Sequence, residues 1–295
     1  MSMVFFALPG NEVLTASLAL YCKAELGAAV FHQFPDGETL VKIDSEVKDK
    51  LVILVCTLDR PDGKIIPLYF LAQTAKELGA RHICLVAPYL AYMRQDKRFS
   101  PGEGITSIYF SKLVSFFIDS IITVDPHLHR IHALSEIYAI PATVIHATQL
   151  ISDWIKTNII TPVLVGPDEE SEQWVSAVAK GANVPYIILQ KIRKGDTNVE
   201  VSVPHLEKYI HHTPVLVDDI ISTGRTMMST ITRLRNAGVT KPVCIGVHGL
   251  FIDNAYSDLL QAGTTDIITC NTIIHETNKI SIDKILADGI LQAIY

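Results

Sequence analysis

Apolar runs that do not alternate with polar residues recur along this chain, at residues 51–58, 82–87, 121–124, 163–165, 186–189, 215–217, 243–247 and 266–269. A strand with one wetted face alternates apolar and polar positions, whereas a strand covered on both faces reads as a continuous apolar run. Amphipathic stretches lie between most of them. Residues 13–27 put Leu14, Leu18 and Tyr21 at helical spacing, and residues 64–79 do the same with Ile66, Phe70 and Leu78. This alternation predicts an α/β fold with mainly parallel sheets flanked by helices. The 295 residues suit two domains of ordinary size. The expected division is 1–145 and 146–282, with a last helix, 283–295, packing back on the first domain. A polar, glycine-bearing stretch at 191–198, followed by strand-like residues 199–203, predicts a β-flap.

Composition narrows the function. Hydrophobic residues make up 48% and charged residues 19%, as in a globular protein with well-buried sheets. The formal net charge of −6 and the lack of a basic tract argue against extended nucleic-acid binding. An anionic ligand must therefore be gripped by local groups. Five cysteines with no CxxC pair read as buried thiols in a reducing compartment. Residues 1–10 lack the basic start of a secretory signal, and no uncharged stretch reaches membrane-spanning length. A cytoplasmic protein without a membrane partner is expected.

The richest chemistry follows the run at 215–217. Asp218 and Asp219 come next, then Ile220 and Ile221, then Ser222, Thr223, Gly224, Arg225 and Thr226, after which Met227, Ile231 and Leu234 have helical spacing. A parallel strand delivers such groups to the carboxyl edge of a sheet, where α/β ligands bind. Loop N–H groups at the start of a helix can cradle a phosphate. The carboxylates repel phosphate but suit sugar hydroxyls or Mg²⁺. An isolated Asp-Asp pair at such a junction would be an ordinary helix cap; the whole pattern describes a pocket for a phosphorylated sugar.

Other strand ends carry further groups. Phe34-Pro35-Asp36-Gly37-Glu38 is a turn by composition and alone needs no function. Arg94, Gln95, Asp96, Lys97 and Arg98 are either a grip for a polyphosphate or a solvated charged loop. Asp125 and His127 could share a Mg²⁺ shell; the histidines His127, His129 and His132 invite zinc, but a nearby carboxylate and the lack of cysteines weaken that reading. Asp168 is a ligand candidate at a strand tip, whereas Glu169 and Glu170 read as acids capping the following helix. Lys191 and Arg193, two apart in an extended segment, are either a surface turn or the paired cations that a phosphoryl-transfer transition state needs. No Walker A, GxGxxG or GxSxG pattern is present.

In order and spacing these segments resemble the ribose-phosphate diphosphokinase (phosphoribosyl pyrophosphate synthetase) family, over essentially the whole chain. Residues 34–38 are similar to its FxDGE element, 88–96 to PYxxYxRQD, 124–127 to VDxH, 191–193 to the catalytic KxR, and 217–226 to the signature that binds the product. The Asp-Asp-Ile-Ile-Ser-Thr-Gly loop looks closest to the archaeal-type branch. The resemblance implies two phosphoribosyltransferase-like domains and transfer of the diphosphoryl group of Mg-ATP to ribose 5-phosphate. It implies ATP contacts by Phe34, Asp36, Glu38, Arg94, Gln95 and Asp96. The ribose hydroxyls would fall to Asp218 and Asp219, and the 5-phosphate to Ser222, Thr223, Gly224, Arg225 and Thr226. Mg²⁺ would be organised by His127 and Asp168, and transition-state charge neutralised by Lys191 and Arg193. A homo-oligomer, dimer or hexamer, is implied as well.

Two positions depart from the family pattern. Glu169 and Glu170 stand where small residues are common, and Arg225 stands where Gly is usual. A positive φ at residue 225 would cost Arg conformational energy. Two other functions share part of the pattern: a phosphoribosyltransferase that consumes phosphoribosyl pyrophosphate, and a catalytically silent subunit of the same family.

Overall fold

The computed structural model describes residues 2–167, 171–194, 198–202 and 206–294. The chain divides into two compact units, one formed by Met1–Ile145 with Asp283–Tyr295 and the other by His146–Ile282.

The first unit runs β1 (Met3–Ala7), α1 (Glu12–Tyr21), β2 (Glu25–Leu26), β3 (Ala29–Gln33), β4 (Thr39–Ile43), β5 (Leu51–Val55), α2 (Asp62–Glu77), β6 (His82–Ala87), α3 (Thr106–Phe117), β7 (Ser120–Val124) and β8 (Ala142–Ile145). Six strands form a sheet in the order β2-β1-β5-β6-β7-β8, and every pairing in it is parallel. Val52, Ile53, Leu54, Leu85 and Val86 are fully buried, as expected for strands covered on both faces. β3 and β4 form a separate antiparallel hairpin.

The second unit runs α4 (Thr148–Asn158), β9 (Pro162–Gly166), α5 (Glu172–Ala182), β10 (Tyr186–Ile188), β11 (Gln190–Lys194), β12 (Asn198–Ser202), β13 (Thr213–Ile221), α6 (Arg225–Asn236), β14 (Val243–Gly249), α7 (Ala255–Ala262), β15 (Asp266–Cys270) and β16 (Asn278–Ile280). Its sheet, β10-β9-β13-β14-β15-β16, is also parallel throughout. β11 and β12 pair antiparallel as a flap, with Lys191 opposite Val201 and Arg193 opposite Val199. Val163, Val165, Leu216, Ile231 and Leu234 belong to one core beneath β9, β13 and α6. The last helix, α8 (Asp283–Ile294), belongs to the first unit, where Ser17 of α1 donates to the Asp283 carboxylate.

Two helices bury faces other than those expected. In α2 the buried residues are Leu68, Leu71, Ala72 and Ala75, while Ile66, Phe70 and Leu78 are 49%, 37% and 48% exposed. The helix carries two apolar stripes, and the sheet takes the one built of Leu and Ala. In α1, Leu14 and Leu18 are buried but Tyr21, the last helical residue, is half-exposed. That helix ends well short of Gly27, because Lys23 turns into the left-handed region at φ 51. The apolar run at 51–58 also outlasts its strand: the ladder ends at Val55, yet Cys56 N–H still donates to Val86 O and Leu58 N–H to Tyr89 O.

Candidate active site

The first unit carries three candidate loops, two of which are joined to each other by a hydrogen-bonded pair. Phe34, Asp36 and Glu38 lie in the β3–β4 turn, on an exposed hairpin rather than at a tip of the parallel sheet. Phe34 N–H donates to Glu38 O at 2.8 Å, Gly37 N–H closes back on Phe34 O, and the Asp36 carboxylate accepts Glu38 N–H at 3.2 Å. The turn chemistry read from Pro-Asp-Gly is therefore present, with the carboxylate fixing its own backbone. Phe34 is 40% exposed and meets the His32 ring edge-on at 4.7 Å.

The segment after β6 is braced from several sides. Tyr92 has a left-handed φ of 65, lays its ring against Phe110 at 4.7 Å and donates its hydroxyl to Asp62 at the start of α2. Gln95 is pinned to the start of α3, where its side-chain oxygen accepts from the Thr106 hydroxyl at 2.7 Å and its carbonyl from Ser107 N–H. Arg94 stays exposed. The Asp96 side chain is only 4% exposed and is occupied by Arg130, through both the backbone N–H and the guanidinium. Burial alone would raise the Asp96 carboxyl, but these Arg130 bonds outweigh it and hold it below the usual carboxylate range. Because Arg130 lies in the segment after β7, the bond joins the loop that carries Arg94 and Gln95 to the loop that carries His127.

In that second loop Asp125 is nearly buried, has φ 34 and donates its N–H to Ile145 O. The His127 and His129 rings meet edge-on at 4.4 Å. Among the described residues no three His, Cys, Asp or Glu side chains form a metal-binding group, so the zinc reading of the three histidines finds no assembled ligand set. Mg²⁺ has different needs: it keeps several waters and takes one or two protein groups together with substrate phosphates. Of the two side chains expected to meet such an ion, His127 lies in this loop.

The second unit carries the acidic strand. β13 extends through Ile221, so Asp218 and Asp219 sit inside the strand rather than after it. Up to Leu216 the strand pairs with β9 on one side and β14 on the other; beyond it the recorded pairing is to β14 alone, with Asp218 opposite Gly246. Both aspartates are half-buried, and Asp219 N–H donates to the Asp218 carboxylate at 3.0 Å. Gly224, at φ 67, is the N-cap of α6, and its carbonyl accepts Met228 N–H at 2.8 Å. A Cβ at Gly224 would lie 3.2 Å from Leu259. Met227, Ile231 and Leu234 are buried beneath, as their spacing requires. Arg225 is the first residue of α6 and is exposed; it has no positive φ, so the left-handed position belongs to Gly224 and the anticipated cost at Arg225 does not arise.

Gly166 ends β9, and a Cβ there would meet Ile188 at 2.5 Å. Asp168, with Glu169 and Glu170, lies outside the described residues. Lys191 and Arg193 are placed by backbone register only. Nothing local marks Arg130 as the partner of Asp96, since the pair is 34 residues apart. The N–H groups of the loop after β14 meet the carbonyls of Ile221 and Ser222, a bond between loops that no local pattern marks.

Comparisons with known proteins bear on the family and the fold. Residues 3–116 match the N-terminal domain of ribose phosphate pyrophosphokinase, and residues 133–284 match the phosphoribosyl transferase domain. The chain is 32% identical to a ribose-phosphate pyrophosphokinase of Methanopyrus kandleri over 98% of both chains. It is 32% identical to one from Sulfolobus acidocaldarius, covering 84% of this chain and 86% of that one. In structure it is similar to a phosphoribosylpyrophosphate synthetase from Mycobacterium smegmatis, with a TM-score of 0.84 over 100% of this chain and 99% of that one; at 22% identity this speaks for the fold alone.

Proposed function

The chain belongs to the ribose-phosphate pyrophosphokinase family, and we propose that it transfers the diphosphoryl group of Mg-ATP to the C1 hydroxyl of ribose 5-phosphate, giving phosphoribosyl pyrophosphate and AMP. The observation that carries this reading is the tip of β13, where two half-buried carboxylates precede a glycine-capped helix start. Carboxylates suit the ribose hydroxyls, and the N–H groups of Ser222, Thr223 and the first turn of α6 suit a dianionic phosphate.

In this scheme the C1 hydroxyl oxygen attacks the β-phosphorus of ATP and its proton passes to solvent, the bond from that phosphorus to the bridging oxygen of the α-phosphate breaks, and AMP leaves with the bridging oxygen. Asp218 and Asp219 orient the sugar; Ser222, Thr223, Gly224, Arg225 and Thr226 hold its 5-phosphate. Phe34, Asp36, Glu38, Arg94 and Gln95 hold ATP. Asp96 serves them through Arg130, since its carboxylate is already engaged there. Lys191 and Arg193 neutralise charge around the β-phosphorus, a step governed by positioning and electrostatics. His127 and Asp168 would hold Mg²⁺, directly or through water, and the ion would draw charge from the phosphoryl oxygens.

Magnesium dependence, cytoplasmic residence and self-association complete the proposal. Five buried free thiols support a reducing compartment. No helix among the described residues is long and apolar enough to cross a membrane. Self-association as a dimer or hexamer is supported by the outer face of α3, where Tyr109, Leu113 and Phe116 follow helical spacing and Phe116 is 74% exposed. The match of residues 3–116 to the pyrophosphokinase N-terminal domain favours synthesis over a transferase reaction that consumes the product.

The test is incubation with Mg-ATP and ribose 5-phosphate, following AMP and phosphoribosyl pyrophosphate. Stoichiometric formation of both is expected. AMP no higher than with a Lys191→Ala control would defeat the reading, and ATP binding without turnover would point to a silent subunit.

A further inference from the structure

The loop after β14 is absent from the scheme above, yet it is bonded to the sugar-phosphate loop. Leu250 N–H and Phe251 N–H both donate to Ile221 O, at 2.9 and 3.1 Å, and Ile252 N–H donates to Ser222 O at 3.1 Å. Those carbonyls belong to the last residue of β13 and the first residue of the loop that ends at Gly224. Three consecutive N–H donors thus fix the position at which that loop begins.

This arrangement has a conformational cost. Phe251 takes a φ of 41, in the left-handed region that bulky side chains avoid. Such strain persists only where the surroundings over-determine it. Here the ring is enclosed by two others: His275 lies 4.3 Å away, Tyr256 lies 5.7 Å away, and Tyr256 and His275 are themselves 5.1 Å apart. Gly249 makes room, because a Cβ there would meet the Phe251 ring at 2.6 Å. His275 is in turn fixed, its Nδ1 accepting Thr277 N–H at 3.3 Å and facing the Thr277 hydroxyl at 3.0 Å. Thr277 bonds Thr269 near the end of β15 at 2.7 Å. The three rings and their hydrogen-bonded base form one unit that ends, through the backbone of the loop after β14, at Ile221 and Ser222.

We propose that Phe251, held by Tyr256 and His275, is a positioning residue for ribose 5-phosphate. Its ring keeps the loop after β14 in the strained shape that locates Ser222, Thr223 and Gly224 before the phosphate arrives. Pre-organisation of this kind strengthens binding by removing the ordering cost. The inference rests on the assignment of that loop to the 5-phosphate.

The experiment compares wild type, Phe251→Ala, Phe251→Tyr and Tyr256→Ala by steady-state kinetics and by calorimetric titration with ribose 5-phosphate alone. Phe251→Ala should raise the Kd and KM for ribose 5-phosphate about tenfold, leaving the KM for Mg-ATP within about twofold. Phe251→Tyr, which keeps the ring, should restore both values. Tyr256→Ala should shift them in the same direction by less, and it decides the matter should Phe251→Ala fail to fold. An unchanged ribose 5-phosphate affinity in a folded Phe251→Ala variant overturns the proposal, as does an equal rise in both KM values. Wild-type protein that neither binds ribose 5-phosphate nor releases AMP would instead defeat the functional reading itself.

Discussion

The Asp96 carboxylate accepts the backbone N–H and the guanidinium of Arg130, each at 3.1 Å. The bond ties the segment after β6 to the segment after β7, the two loops expected to hold ATP and to meet its metal. The Asp96 side chain is 4% exposed while Arg130 is 52% exposed, so the aspartate depends on the arginine more than the reverse.

Removing the guanidinium leaves a buried carboxylate with only the backbone donor. Arg130→Ala should raise the KM for Mg-ATP about tenfold, toward the low end of what breaking a bond to a buried charge costs because the arginine is half in solvent. The KM for ribose 5-phosphate should stay near wild type. Arg130→Lys, which keeps charge but not the planar fork, should recover part of the loss. Initial-rate kinetics over both substrates checks this.

Lys191 and Arg193 occupy alternate positions on β11, opposite Val201 and Val199. In the proposed scheme they act on a charge that develops only during transfer, so each should affect kcat rather than KM. Lys191→Ala is expected to lower kcat by about a hundredfold to a thousandfold, the usual effect of deleting one transition-state donor. Single-turnover measurement of AMP release separates this step from product release.

Gly224 and Arg225 should respond in opposite ways to the exchange of a side chain for hydrogen. Gly224→Ala places a Cβ at φ 67 and 3.2 Å from Leu259, so it should cost about 1–2 kcal/mol and weaken ribose 5-phosphate binding. Arg225→Gly removes a helical side chain where no strain exists, and should lower stability by up to about 1 kcal/mol rather than raise it. Denaturant titration of the two variants reads both signs.

The cysteines set an alkaline limit. Burial pushes Cys56 and Cys244 up to about 12, and Cys22 and Cys84 up to about 11, from an ordinary value of 9.0. A raised folded-state value means that the neutral thiol is favoured in the fold. Its contribution is whole below pH 9 and is lost as the pH climbs from 9 toward 11–12, where the unfolded chain ionises and the folded one resists. The midpoint of guanidinium unfolding should therefore fall steadily above pH 9. At pH 8 a thiol reagent should label the native protein slowly, at the rate of opening rather than of thiolate attack.

The sheet strands were readable because burial on both faces leaves an unbroken apolar run, and β6 and β14 owe their recognition to that. The β3–β4 hairpin escaped notice because its strands are only half-buried and only its turn carried a signal. In α2 the spacing revealed a helix but not which of two apolar stripes meets the sheet. The tip of β13 could be read because its chemistry is contiguous, from Asp218 to Thr226. Pairs such as Asp96 with Arg130, or Phe251 with His275, join residues distant in the chain, and nothing local marks the pairing. Tertiary proximity creates them.

The helix α8 completes the first unit, although it follows the whole second unit in the chain. Cys22 Sγ approaches Ala287 O at 3.9 Å, and Gly289 lies so close to β8 that a Cβ would meet Ile145 at 2.2 Å. A chain emerging from the ribosome therefore has every residue of the second unit before the first can close. During synthesis the first unit must wait with Ser17 of α1 and Cys22 just after it lacking their α8 partners, and the second unit is free to fold ahead of it. Vulnerability to proteolysis in the cell should accordingly concentrate in the first unit and last until α8 is released.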